Sequence, residues 1–201
     1  MMRTVASDNA MINLQAPLVA RKGIVGMWVA LGSILMMFTA LTSAYIVRTR
    51  LSDDWRPLWM PHMLWLSTAL ILVSSITFEV ARSSLKKGRE QAYSRWLLLT
   101  VLLGLGFLAA QFLSWRQLVA QGIYLDSNPH SSFFYLLTGV HGLHLLGGIL
   151  ALDYLLLRNR RQGGKSEARE KRQVVADVVG IYWHFLDGLW VYLFLLLFFW
   201  R

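Results

Sequence analysis

The sequence predicts an all-α integral membrane protein, a single domain of five transmembrane helices. Three observations lead there. The 201 residues are 56% hydrophobic, more than a soluble domain of this size normally carries. The apolar residues fall in five blocks, at about 24–47, 62–84, 93–119, 133–157 and 176–200. Each is at or beyond the roughly 20 residues that cross a bilayer as a helix. Lys and Arg, in the connecting segments and at the block ends, are unevenly shared, 15 on one side against 5 on the other. The positive-inside rule then puts the N-terminus in the cytoplasm and the C-terminus outside, as an odd number of spans requires.

The formal charge of +9 invites a nucleic-acid reading, but its distribution follows topology. The basic residues sit in alternate loops, where they suit an anionic lipid surface. No nucleic-acid partner is expected. There is no cysteine, so disulfides, thiolate metal sites and cysteine nucleophiles are excluded. Trp28, Trp55, Trp59, Trp65, Trp96, Trp115 and Trp200 lie near block ends, which suits an interfacial belt.

Residues 1–22 are mixed and polar. They read as a cytoplasmic segment with no removable signal peptide, ahead of a membrane domain over 23–201. Span one carries small residues, Gly26, Gly32, Ser33, Thr39, Thr42 and Ser43, which allow close helix approach in lipid. The first loop holds Pro57 and Pro61, and Pro61 is placed to open the next helix. Span two is polar on one side, at Ser67, Thr68, Ser74, Ser75 and Thr77. Glu79 and Arg82, three apart near its basic end, read as a helix-end ion pair. Span three holds Gln111, which needs a partner in lipid, and is followed by a turn-rich loop, 121–130, containing Asn128-Pro129. Span four brings His141 and His144 onto one face among glycines. A basic cytoplasmic loop, 158–172, leads to span five.

Span five is the most informative stretch. It carries His184 and Asp187 near its middle, with Tyr182, Trp183 and Trp190 around them. An Asp at the centre of a spanning helix costs roughly 2.5–3.5 kcal/mol on insertion scales, so this face is expected to meet protein. Two readings stand for His141, His144, His184 and Asp187. One is a metal or haem site, since imidazole is a common ligand. The other is a satisfied polar network locking span four to span five. Five His and no Cys cannot supply a haem-copper centre, a second haem and a thiolate copper site on one chain.

Phe134-Tyr135-x-x-Thr138-Gly139-x-His141-Gly142-Leu143-His144-x-x-Gly147, with Tyr182-Trp183-His184-Phe185-x-Asp187-x-x-Trp190, resembles subunit III of the haem-copper terminal oxidases. Gly26-Met27-Trp28 with Tyr45, Gly104-Leu105-x-Phe107 with Gln111, and Gly122-Ile123-Tyr124 support the match. The resemblance covers roughly residues 22–200 and is to the short five-helix bacterial form. It implies an accessory subunit with no cofactor and no metal of its own. Haems and copper belong to the partner subunits. The partners implied are oxidase subunit I as main contact, subunit II, further subunits of a respiratory supercomplex, and bound phospholipid. The resemblance also implies support for proton uptake and for oxygen access. Two positions depart from the family pattern. Ile34 and Ser114 stand where carboxylates are usual, so no role built on those acids carries over.

The expected whole-complex activity is electron transfer from cytochrome c to dioxygen coupled to proton translocation. A quinol oxidase subunit and a nitric-oxide-reductase accessory protein are the neighbouring alternatives. A stand-alone membrane b-type cytochrome with His144 and His184 as axial ligands is the alternative of another class. A small transporter is disfavoured, because no internal repeat or pair of broken helices is visible.

Overall fold

The computed structural model describes the backbone of residues 2–51, 62–162 and 166–200, and the side chains of 23–51, 62–159 and 172–200. Five helices run through them: α1 (Met2–Leu51), α2 (Met63–Lys86), α3 (Glu90–Ala120), α4 (Pro129–Gln162) and α5 (Ser166–Phe199). Each contains a stretch long and apolar enough to cross a membrane, the shortest being Met63–Lys86. At 1.5 Å per residue its 24 residues make about 36 Å, enough for the hydrocarbon core with some tilt.

Helix ends follow local chemistry. Asn128 accepts the Ser131 backbone N–H on Oδ1 at 3.0 Å, and Pro129 occupies the first helical turn, where a missing N–H costs nothing. The cap extends α4 four residues before the expected start at 133. α3 likewise begins at Glu90 rather than 93, with an acid in its first turn to meet the positive end of the helix dipole. Between α2 and α3 the chain reverses through Lys87-Gly88-Arg89. Gly88 has φ 71°, a left-handed conformation that glycine adopts without Cβ strain.

The expected boundaries of the basic loop are corrected. α4 continues to Gln162 and α5 starts at Ser166. Most of 158–172 is therefore helix backbone rather than loop. Arg, Gln, Glu, Ala and Lys dominate there, all good helix formers, so the helices run on past the apolar blocks. α1 is one continuous helix from Met2 to Leu51, so residues 2–22 and span one share a helix backbone. The first-loop expectations at Trp55, Arg56, Pro57, Trp59 and Pro61, and those for the side chains of 1–22 and 160–171, lie outside the described residues.

α2 and α3 form the most extensive helix pair. α3 also meets α4, α4 meets α5, and α5 returns to α2. These four helices close a ring, and α1 docks on its α4/α5 side. The docking seam of α1 is narrow. Leu31, Phe38, Thr42 and Tyr45 are buried at three-, four- and seven-residue spacing. The opposite face, with Val25, Val29, Met36 and Val47, is exposed and apolar, as a lipid-facing surface should be. Ile34 packs half-buried against the core. Ser114 is buried and donates to the Ala110 carbonyl at 2.9 Å.

Candidate functional site: the inward polar face of α5

Trp183, His184, Asp187 and Trp190 follow one another at one, three and three residues. Most of that face is directed to α2. Trp183 donates its indole N–H to Ser74 Oγ at 3.2 Å. Trp190 donates to Thr68 Oγ1 at 3.0 Å. His184 Nδ1 joins Ser75 Oγ at 2.7 Å. One turn and more further along, Asp177 pairs with Arg82 at 2.8 Å, and Arg82 also meets Glu79 at 3.1 Å. Between these contacts Gly180 lies so close to Phe78 that a Cβ would stand 2.8 Å from its ring. The hydroxyl stripe of α2 and the aromatic–acid stripe of α5 thus form a zipper. In lipid such bonds average about 0.6 kcal/mol and reach about 1.7. Ser74→Ala and Thr68→Val are each expected to lower stability within that range, checked by thermal unfolding in detergent.

The four-residue network expected between spans four and five is corrected by this geometry. His184 turns to α2, not to α4. His141 sits elsewhere, fully buried in an aromatic box of Phe38, Phe107 and Trp190, with ring centroids 6.5, 5.8 and 5.2 Å away. Neither His141 nitrogen has a hydrogen-bond partner among the described residues. His144 donates Nδ1–H to its own helix at the Val140 carbonyl, 2.8 Å away, and lies beside Phe38. The α4–α5 contact is made by the His141–Trp190 ring pair, by Tyr182, whose hydroxyl donates to the His144 carbonyl at 2.9 Å, and by Trp183. The Trp183 ring fills the space between Gly104 and Gly148, where a Cβ would come within 3.0 and 3.1 Å of it. The glycines of α3 and α4 are there to admit an indole.

Asp187 is 4% exposed and lies beside the Ser75 hydroxyl of α2, which also meets His184 Nδ1 at 2.7 Å.

Axial haem ligation by His144 and His184 does not fit this arrangement. His144 lies beside Phe38 of α1, His184 beside Phe78 and Ser75 of α2, and among the described residues α1 and α2 do not pack together. Among the described residues no three His, Asp or Glu side chains gather as a metal site.

Two clusters escaped sequence reading. At the basic end, Arg172 is 1% exposed. Its guanidinium donates to Asn159 Oδ1 and pairs with Glu90 at 2.7 Å, while Asn159 Nδ2 donates to Ser94 at 2.7 Å. This ties α5, α4 and α3 together. In sequence Arg172 is one of seven basic residues in a row of charges, and no spacing singles it out. At the other end, Tyr45 donates its hydroxyl to the Trp200 carbonyl and lies 3.4 Å from His130 Nε2, holding α1 to α4 and to the end of α5.

Five helices long and apolar enough to span, joined by interhelical hydrogen bonds among the described residues, define a class: a polytopic membrane protein. Comparison with known proteins narrows it. The sequence profile of the family described as "Cytochrome c oxidase subunit III" matches residues 2–201. A protein of Nocardia farcinica named "Probable cytochrome c oxidase subunit 3" is 35% identical over 181 residues, covering 88% of this chain and 87% of its own. "Cytochrome c oxidase subunit 3" of Bacillus sp. (strain PS3) is 30% identical, covering 89% and 86%. "Quinol oxidase subunit 3" of Bacillus subtilis is 28% identical, covering 94% and 91%. The chain belongs to the cytochrome c oxidase subunit III family, and is an accessory subunit III of a haem-copper oxidase.

Proposed function

We propose that this chain serves a bacterial oxidase that takes electrons from cytochrome c, reduces dioxygen and moves protons. It lies in the cytoplasmic membrane with its N-terminus inside. It braces subunit I, touches subunit II and holds phospholipid, while haems and copper reside on those partners. His141, His144, Trp183, His184, Asp187 and Trp190 are structural in this reading, as is the Glu79–Arg82 pair. The observation that carries it is the α2–α5 zipper, which engages the indoles and His184 of the α5 motif in holding the bundle together. The uneven basic residues support the orientation. For the donor, the support is that relatives at 30–35% identity are named for cytochrome c, while the quinol-named relative stands at 28%.

The test is purification of the tagged chain in mild detergent, with mass spectrometry of every co-purifying polypeptide and an optical spectrum. Recovery with a many-helix, His-rich chain and a Cys-bearing copper subunit is expected. A second subunit lacking those cysteines would move the donor to quinol. Recovery of the chain alone, coloured by haem, would overturn the scaffold reading.

A further inference from the structure

The outer wall of α3, at its basic end, carries a groove of about 730 Å³ whose lining includes Arg89, Ala92, Arg95, Trp96 and Leu99. These residues recur at three- and four-residue spacing, so they form one stripe along the helix. Ala92 is its small member and leaves room between the two arginines. Glu90 contributes little negative charge to the stripe's arginines, because its carboxylate is engaged by Arg172 at 2.7 Å. Among the described residues Arg89 and Arg95 form no ion pair. Below them Trp96 is 38% exposed, and Leu99 and Leu102 continue the stripe at 39% and 56%. From Arg89 to Leu102 the helix rises about 20 Å. Cation, indole and alkyl groups therefore succeed one another from the interface into the span. A phospholipid presents phosphate, ester and acyl chain in the same order.

We propose that this stripe binds one phospholipid with an anionic glycerophosphate headgroup. Arg89 and Arg95 grip the phosphate, whose oxygens match the guanidinium fork. Trp96 lies at the level of the esters, and an acyl chain runs along Leu99 and Leu102. Basic pockets at the membrane surface select anionic headgroups in this way. The site deepens the lipid-holding part of the proposed function and rests on that reading only for the placement of this end of α3 at a membrane surface.

The experiment counts lipids on the purified oxidase complex by native mass spectrometry, after exchange from phosphatidylglycerol-containing membranes into phosphatidylcholine nanodiscs. Three forms are compared: the unaltered chain, Arg89→Gln/Arg95→Gln, and Lys86→Gln/Lys87→Gln. The last removes the same charge at the same end but outside the stripe. The unaltered complex and the lysine variant are expected to keep one phosphatidylglycerol that the arginine variant loses. Equal retention in all three forms would overturn the site. Equal loss from both variants would also overturn it, by showing a diffuse charge effect. Subunit composition is read from the same spectra. Absence of oxidase partners would sink the functional reading, while the lipid count on the chain would still decide the site.

Discussion

Trp183→Ala is expected to destabilise the chain more than any other single truncation in its core, by about 3–5 kcal/mol as for large aromatic-to-alanine changes in well-packed interiors. The Trp183 ring is wholly buried and in contact with three helices. It donates to Ser74 of α2, and its ring edge fits the floor made by Gly104 of α3 and Gly148 of α4. In lipid no hydrophobic effect drives helices together, so shape-matched van der Waals contact has to do it. Removing the ring leaves two glycine-lined surfaces facing a void and Ser74 without its donor. Thermal unfolding of the complex, followed by retention of this subunit, measures the loss. The double change Trp183→Ala/Gly148→Leu refills part of the space and is expected to recover part of the stability. Gly148→Leu alone is expected to be damaging, since its Cβ would lie 3.1 Å from the indole. A Trp183→Ala chain within about 1 kcal/mol of the unaltered one would contradict the cavity argument.

The same residue shows why the five helices were legible in the sequence and their pairing was not. Length and hydropathy mark each span, because a bilayer demands about 20 apolar residues whatever the neighbours are. Spacing also placed Trp183, His184, Asp187 and Trp190 on one α5 face and the α2 hydroxyls on another. Which faces meet is a tertiary matter. The His pair on α4 looked like the natural partner for His184 by chemistry alone. Ser75, a residue with no distinguishing context, is the partner instead. Glycines at 104 and 148 signalled close packing, but not that an indole from a third helix would fill the gap. Helix ends in water were misjudged for a related reason. Hydropathy locates the membrane boundary, whereas Asn128 capping and the helix formers after 158 set where the helix itself stops.

Glu90→Ala is the second change with a large expected effect, about 3 kcal/mol, the lower end for breaking one partner of a buried pair. The lower end applies because the Glu90 side chain is 25% exposed, while Arg172 is 1% exposed. The substitution takes a carboxylate at 2.7 Å away from a guanidinium that is 1% exposed and that also donates to Asn159. Arg has no accessible neutral form with which to relieve that cost. Three helix ends meet at this cluster, so the damage should appear first as opening of the α3, α4 and α5 ends. Limited proteolysis at the basic end is expected to accelerate before global unfolding shifts. Replacing both partners by apolar residues, Glu90→Leu/Arg172→Met, is expected to restore most of the stability, because the desolvation cost disappears together with the attraction. A double-mutant cycle separates these terms. If Glu90→Ala and the double change lose equal stability, the cluster acts through packing and not through charge. If neither loses any, Arg172 is held by its other contacts, and the ends of α3, α4 and α5 are secured without the Glu90 pair.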